Sequence, residues 1–151
     1  MTTRKLATEF EQEESSPGLA LWRATNAWQN AQRRALKKFD LTHTQFVLLA
    51  SLVWIDSEEP VTQRQLCEHA RLDEMMTSQV LRLLEKKGLI TRVAHPSDGR
   101  AMALSATAKG VKLANASVRV VEEVDRQFFS ALPDQGRRLT KDLNTVNQAA
   151  E

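Results

Sequence analysis

The hydrophobic spacing of the chain changes at Gly88, and this change limits the possible folds more than any other feature. Before the glycine, apolar residues recur every three or four positions, which is the spacing of amphipathic helices. After it come a β-branched run at 89–94, turn-forming residues at 95–100 and a weakly alternating run at 101–105. The pattern predicts a mostly α-helical chain with one small β-hairpin.

Two helices are predicted immediately before the hairpin. Thr62 and Gln65 have the spacing of a capping box, so a short helix is expected to begin after Thr62. Asp73 is a good cap for a second helix, and Gly88 is placed to end that helix in a left-handed conformation. The residues of this second helix expected to face inward are Met76, Thr77, Val80, Leu81 and Leu84, with Thr77 at the border of both faces. The order of elements predicts a helix-turn-helix followed by a hairpin wing within about 41–106.

Apolar residues at helical spacing also occur on both sides of this unit. They cover about 18–39 and about 107–150, where Thr107 is expected to cap one long helix and Pro133 to start a last one. The stripe of the long helix after Thr107 is wider than one neighbouring element needs. Residues 1–16 are polar and acidic without periodicity, and they are expected to form a flexible tail.

Length and spacing indicate one domain. Thr42 and Gln45 predict the start of a further helix, which is expected to fade around 56–59 before Pro60. A chain of 151 residues is long enough for a single core. We therefore expect one domain over 17–151.

Composition excludes several classes of protein. A single cysteine, Cys67, permits neither an internal disulfide nor a metal site built on a pair of cysteines. The longest apolar run, 46–50, is too short to span a bilayer, and the acidic N-terminus lacks the apolar stretch of a signal peptide. A cytoplasmic protein with no membrane segment is expected. The net charge of +2 permits DNA binding without requiring it.

The polar residues of the second helix and of the hairpin turn predict contacts with DNA. In a helix-turn-helix, the second helix enters the major groove, where hydroxyl, amide and guanidinium groups contact base edges and phosphates. An arginine at a hairpin tip suits the narrow, electronegative minor groove, and a nearby aspartate can brace it or pair with another basic residue. The competing interpretation is a solvated surface. The residues expected at the DNA are Thr77, Ser78, Gln79, Arg82, Asp98 and Arg100.

Six short motifs follow one another across residues 41–110. They are Leu41-Thr42-x-x-Gln45-Phe46, Thr62-Gln63-x-x-Leu66, Leu72-Asp73-x-x-x-Thr77-Ser78, Leu84-Glu85-Lys86-Lys87-Gly88-Leu89-Ile90, Asp98-x-Arg100-Ala101 and Thr107-x-x-Gly110. In this order they resemble the MarR (multiple antibiotic resistance regulator) family of bacterial transcription factors. The register of Asp98, Arg100, Thr107 and Gly110 is the most specific part of the resemblance. Met75 and Met76 depart from the family pattern.

The resemblance implies a winged helix-turn-helix joined to a helical dimerisation lobe, which would be formed by the helices at about 18–39 and about 107–150. A dimer would also explain apolar stripes that one small domain cannot bury alone. Such proteins are homodimers that bind pseudo-palindromic promoter sites in double-stranded DNA, and many are released by a small aromatic ligand bound between the lobes. We therefore expect a transcriptional regulator, most simply a repressor with a small aromatic effector. Rings on facing helices can line an apolar cleft, although core packing is the alternative. The candidate ligand contacts are Trp28, His43, Phe46 and Trp54.

Other functions remain open at this stage. A winged helix can dock a protein instead of DNA, and a ligand-insensitive architectural DNA binder would show little sequence preference. An enzyme is not expected, because the sequence has no nucleophile with a base, no paired catalytic carboxylates and no phosphate-binding glycine loop. No cofactor is expected. Cys67 is expected to be an inert core thiol, and the three histidines lack the i,i+4 spacing of a metal site.

Overall fold

A computed structural model of the chain describes residues 5–55 and 59–151. Within these residues the mostly helical class with a small sheet is confirmed. The elements, in chain order, are α1 (Pro17–Leu36), α2 (His43–Ile55), β1 (Val61–Thr62), α3 (Gln63–Ala70), α4 (Glu74–Lys86), β2 (Ile90–Ala94), β3 (Met102–Ala106), α5 (Ala108–Phe129) and α6 (Arg137–Ala149). Two single turns of 3-10 helix lie at Glu13–Ser15 and Lys37–Phe39.

The predicted hairpin is confirmed, but the sheet has a third strand. β3 lies in the centre and pairs antiparallel with β2 on one side and with β1 on the other, so that Val61 lies opposite Leu104. Two residues are too few to show the alternation that identifies a strand, and β1 was therefore not predicted. None of the helices in the described ranges has the length and apolarity of a bilayer-spanning segment.

The core lies between α2, the helix-turn-helix and the inner face of the sheet. Its fully buried side chains are mostly leucines from α1, α2, α3, α4 and β3: Leu36, Leu48, Leu49, Leu66, Leu81, Leu84 and Leu104. Cys67 is also buried there, as predicted for a core thiol. The long helices α1 and α5 pack against α2 and against each other. The helix-turn-helix and the two long helices therefore pack into one continuous unit.

The helices begin at the polar residues that the sequence predicts. Thr62 Oγ1 accepts the backbone N–H of Gln65 at 3.1 Å, and the Gln65 side chain accepts the N–H of Thr62 at 2.9 Å. Thr42 and Gln45 make the same two bonds at the start of α2, at 3.1 and 3.2 Å. Asp73 accepts the N–H at the third position of α4 at 2.7 Å. Each cap satisfies backbone donors that the helix itself leaves unpaired.

The last helix starts later than predicted. Pro133 was expected to begin it, but α6 begins at Arg137. Gln135 and Gly136 adopt left-handed backbone angles, with φ of 58° and 88°, which a right-handed helix cannot continue through. The Asp134 carboxylate accepts the N–H of Gly136 at 3.0 Å and stabilises this turn. Pro133 therefore belongs to the turn between α5 and α6.

The N-terminal segment contains more order than the tail predicted for residues 1–16. Glu13–Ser15 form one 3-10 turn, and Ser16 then caps α1. The Glu13 carboxylate pairs with Arg23 at 3.1 Å, so the turn lies against the side of α1. Residues 1–4 of the predicted tail, and the predicted fading of α2 at 56–58, lie outside the described residues.

Helices α1 and α6 leave apolar side chains uncovered. α6, all of whose residues are described, contains no buried residue, and its apolar positions recur at steps of three and four. Such a stripe on a helix normally packs against another element. The exposed apolar residues of these two helices are Leu21, Trp22, Leu139, Leu143 and Val146.

Helix α5 starts in close contact with the end of α4. The Thr107 hydroxyl donates to the carbonyl of Gly88 at 2.7 Å, and the Thr107 N–H donates to the carbonyl of Leu89 at 3.0 Å. A Cβ placed on Gly110 would lie 2.0 Å from the Leu89 carbonyl oxygen, so only glycine allows this approach. We call this contact, formed by Gly88, Leu89, Thr107 and Gly110, the α4–α5 junction.

Candidate nucleic-acid interface

Helix α4 has one buried face and one exposed face. Thr77, Leu81 and Leu84 point into the core and are fully buried. On the opposite side, four exposed side chains follow one another at steps of four, three and four residues, which places them along one line of the helix. We call them the outer line of α4: Met75, Gln79, Arg82 and Lys86. Ser78 is half-buried at its edge.

Two residues of α4 lie differently from the prediction. Thr77 was expected at the DNA, but its side chain is 0% exposed, and its hydroxyl has no hydrogen-bond partner within the described part of the chain. Met76 was expected to face inward, yet it is 46% exposed. The buried face is centred near Leu81, and Met76 lies about 140° away from it around the helix axis. Thr77 is therefore left out of the candidate interface.

The turn between β2 and β3 is closed by backbone bonds and presents Arg100 to solvent. The N–H of His95 donates to the carbonyl of Ala101 at 2.9 Å, and the N–H of Ala101 donates to the carbonyl of Asp98 at 3.1 Å. The Asp98 carboxylate accepts the backbone N–H of Arg100 at 3.0 Å. The expectation that Asp98 braces the guanidinium is thus corrected, because its carboxylate shapes the turn through the main chain instead.

The wing and the start of α4 share one surface. An open cleft of about 380 Å³ is lined by Arg64 at the start of α3, Glu74 at the start of α4, and Asp98 and Arg100 of the wing. The Gln63 side chain accepts from Arg92 of β2 at 3.4 Å and links α3 to the same strand. The wing tip therefore borders the beginning of α4 across this cleft.

Basic residues at this surface extend the predicted set. Lys86 continues the line of Gln79 and Arg82, and its spacing of four residues from Arg82 is the signal that identifies it. Arg64 was missed because it lies on the first helix of the helix-turn-helix, where it pairs with Glu68 at 3.1 Å. Both add positive charge to a face that the overall charge of the chain does not reveal.

A polar cluster joins α1, α2 and α5 on another part of the molecule. The Trp28 indole N–H donates to Asp125 Oδ1 at 2.7 Å. Gln32 Nε2 donates to the same oxygen at 2.9 Å and to the carbonyl of Val121 at 3.2 Å. The Trp28 ring meets His43 edge to face, with ring centroids 4.9 Å apart. Two of the four predicted ligand contacts are thus adjacent.

The electrostatics of this cluster favour a neutral His43. Partial burial lowers the pKa of the imidazole below its usual value, Asp125 opposes the change, and Arg33 adds to it. Gln32 is fully buried, and its Oε1 has no hydrogen-bond partner among residues 5–55 and 59–151. Gln32 and Asp125 were not predicted. The available signal was a polar residue within an otherwise apolar helical stripe.

The other two predicted ligand contacts lie elsewhere. Phe46 is buried and forms part of the hydrophobic core. Trp54 is 83% exposed near the end of α2, eleven residues after His43 and therefore about 16 Å further along the helix. The four rings do not form one cleft, because α2 buries Phe46 in the core and carries Trp54 about three turns beyond His43 and its neighbour Trp28.

Asp125→Ala is expected to lower the free energy of unfolding by about 1–3 kcal/mol. The change leaves the Trp28 indole N–H and the Gln32 amide without their shared acceptor, and unpaired buried donors are costly. Urea denaturation followed by circular dichroism measures this loss. Glu122→Ala, at an exposed position of α5, is the control and is expected to change little. Equal stability of the Asp125 variant and the parent would contradict the role given to the cluster.

Comparison with known proteins gives a family match over the part of the chain that contains the helix-turn-helix and the wing. Residues 41–102 match the sequence model of the MarR family. The HTH-type transcriptional regulator YdcH of Bacillus subtilis, described as uncharacterized, is 43% identical over 125 residues, which are 82% of this chain and 85% of that protein. The match therefore includes helices outside the helix-turn-helix.

Solved structures share the fold. The Staphylococcus aureus MepR–DNA complex aligns with a TM-score of 0.79 and 21% identity, over 89% of this chain and 98% of that one. PcaV of Streptomyces coelicolor, in complex with its natural ligand, aligns with a TM-score of 0.79 and 23% identity, over 95% and 100% of the two chains. At these identities the likeness concerns the fold.

Proposed function

The chain belongs to the MarR family, and on this premise we propose that it is a homodimer that binds a pseudo-palindromic promoter site in double-stranded DNA. Proteins of this family are transcriptional regulators, so the chain is a regulator and not an enzyme. One observation carries the proposal: α4 exposes amide and basic side chains along its outer line, and the wing tip with Arg100 borders the cleft at the beginning of the same helix.

We assign α4 to the major groove. Gln79 and Arg82 stand on its outer line, where an amide can pair with adenine and a guanidinium with guanine or phosphate. Ser78 lies at the edge of that line, and its hydroxyl suits a phosphate at the wall of the groove. Lys86, near the end of the helix, suits the backbone. Arg64, on the preceding helix, suits the same role.

We assign the wing to the adjacent minor groove. Arg100 is exposed at the hairpin tip, and the turn around it is held by the Asp98 carboxylate. A guanidinium on a narrow hairpin can enter the minor groove, where the negative potential is greatest in A·T-rich sequence. Asp98 then acts by positioning Arg100, since a carboxylate next to phosphate would be repelled.

A second copy of the chain accounts for the uncovered apolar side chains of α1 and α6. Leu139, Leu143 and Val146 form a stripe with no buried member, and Trp22 adds a large ring on α1. Covering such residues in a symmetric pair is the usual outcome for a soluble homodimer. Two-fold symmetry would present two α4 helices to half-sites about one turn, roughly 10 base pairs, apart.

We further propose that the protein represses by occluding a promoter and that a small aromatic effector releases it. Trp28 and His43 lie where α1, α2 and α5 meet, between the helical half and the helix-turn-helix. A ligand there would compete with the bond from Trp28 to Asp125. PcaV, of the same fold, has been solved with its natural ligand, which supports a ligand role for this fold.

Fluorescence anisotropy with the DNA just upstream of the protein's own gene tests the proposal. A scrambled duplex of equal length is the control, and both are measured at 50 and 200 mM salt. We expect at least a hundredfold preference for the upstream duplex and an affinity that falls by about 10³-fold or more over that salt range, because phosphate contacts release counterions.

The other outcomes separate the competing functions. Equal binding to both duplexes would contradict a promoter regulator and favour an architectural binder. Absence of binding at 50 mM salt would contradict a DNA-binding function at this site and favour a protein partner for the winged helix.

A further inference from the structure

Met75 is an apolar side chain on a line of polar ones. It is 75% exposed in the first turn of α4, four residues before Gln79 and seven before Arg82. A thioether has no hydrogen-bond donor and accepts only weakly, so it cannot hold a phosphate or pair with the polar edge of a base. An exposed methionine can be an ordinary surface residue. Met75, however, lies on the outer line of α4, which is the face that we assign to the DNA.

Its position at the beginning of α4 directs it to bases. In a helix-turn-helix, residues at the N-terminal end of the second helix contact base edges, while the first helix crosses the backbone. Glu74, immediately before Met75, lines the cleft beneath the wing together with Asp98. The same cleft also carries the guanidinium groups of Arg64 and Arg100, which suit the DNA backbone and the minor groove beside this end of the helix. Met75, the first side chain of the outer line, would therefore face the base edges in the major groove.

The major groove offers one apolar partner. Of the base edges exposed there, only thymine carries a methyl group, at C5. A flexible, polarisable thioether packs well against such a group. We propose that Met75 is a specificity-determining residue that packs against the C5 methyl of a thymine in each half-site. This inference rests on the proposed DNA-binding function of α4.

Replacing thymine by deoxyuridine tests the proposal, because it removes the methyl and leaves hydrogen bonding unchanged. A preferred duplex is first selected from a random library with the full chain. Symmetry-related thymines of its half-sites are then replaced, one pair at a time. For one pair we expect affinity to fall about tenfold, as two buried methyl groups imply. Met75→Ala is expected to bind the thymine and uracil duplexes equally, and Met75→Leu to keep the distinction.

Met76 supplies the matched control. It is the neighbouring methionine, but it lies about 100° from Met75 around the helix and off the outer line. Met76→Ala is expected to keep the tenfold distinction. Circular dichroism melting of each variant confirms that the compared proteins are folded.

The outcomes distinguish this inference from the function on which it rests. If the parent prefers one duplex and no uracil substitution weakens binding, the role of Met75 is overturned and the DNA-binding function stands. The same conclusion follows if Met75→Ala still distinguishes thymine from uracil. If the parent prefers no duplex in the selection, the inference and the proposed function are overturned together.

Discussion

Gly110→Ala is expected to lower the free energy of unfolding by about 3 kcal/mol, the upper end of the usual cost of overpacking. The new Cβ would lie 2.0 Å from the Leu89 carbonyl oxygen and 2.9 Å from its carbonyl carbon. Both atoms belong to the main chain, so no side-chain rotation relieves the clash. Either α5 or the start of β2 must move, and the two bonds from Thr107 at the α4–α5 junction move with it.

Urea denaturation of the parent and the variant measures the loss. Gly18→Ala is the matched control, because no described atom lies within 4 Å of a Cβ built there and the residue is helical. It is expected to leave stability unchanged or to raise it slightly, since alanine favours a helix. Similar midpoints for the Gly110 and Gly18 variants would show that the junction tolerates a side chain.

Arg100→Ala is expected to weaken binding of the preferred duplex about a hundredfold. Each protomer of the proposed dimer loses one guanidinium from the minor groove, and a loss of about 1.4 kcal/mol per protomer is tenfold each. Preference for A·T-rich flanks is expected to fall as well, because the narrow groove attracts the arginine. Stability should not change, since Arg100 is exposed at the wing tip.

Anisotropy titrations with A·T-rich and G·C-rich flanks measure both effects. Arg126→Ala removes an equal charge from an exposed position of α5, where Arg126 pairs with Glu123 at 2.6 Å, and is expected to leave affinity unchanged. Arg100→Lys is expected to restore part of the affinity but not the flank preference, since an ammonium lacks the planar fork. An Arg100→Ala protein with the parent's affinity would contradict a wing contact.

Local signals in the sequence predicted most helix starts correctly. Thr42, Thr62 and Thr107 each accept a backbone N–H three residues later, and this bond depends only on residues within one turn. The start of α6 was predicted wrongly at Pro133, because the left-handed backbone of Gln135 and Gly136 delays the helix until Arg137. Strand β1 was missed because its pairing partner Leu104 lies 43 residues away.

The candidate interface was predictable to the extent that it follows helical periodicity. Gln79 and Arg82 are exposed as expected, because two turns of apolar spacing define the opposite face of α4. The burial of Thr77 could not be predicted in the same way, because Thr77 lies between the apolar and polar faces of α4. Packing of the whole helix decides whether such a residue is buried. Asp125 meets Trp28 across 97 residues, and no spacing rule relates positions on separate helices.

The α4–α5 junction holds the C-terminal end of α4 against Gly110, so a rotation of α4 relative to α5 would turn about this contact. Lys109 adds a third hydrogen bond at the junction, donating to the carbonyl of Lys87 at 3.0 Å. The three bonds restrict movement of one helix relative to the other. α4 has 13 residues and is about 20 Å long, so a tilt of about 5° at the junction moves its N-terminal end by about 1.7 Å. That displacement is enough to break hydrogen bonds at that end, whose useful range is a few tenths of an ångström. In the proposed dimer, a small change of angle between the protomers would thereby be amplified into broken hydrogen bonds at the proposed DNA interface.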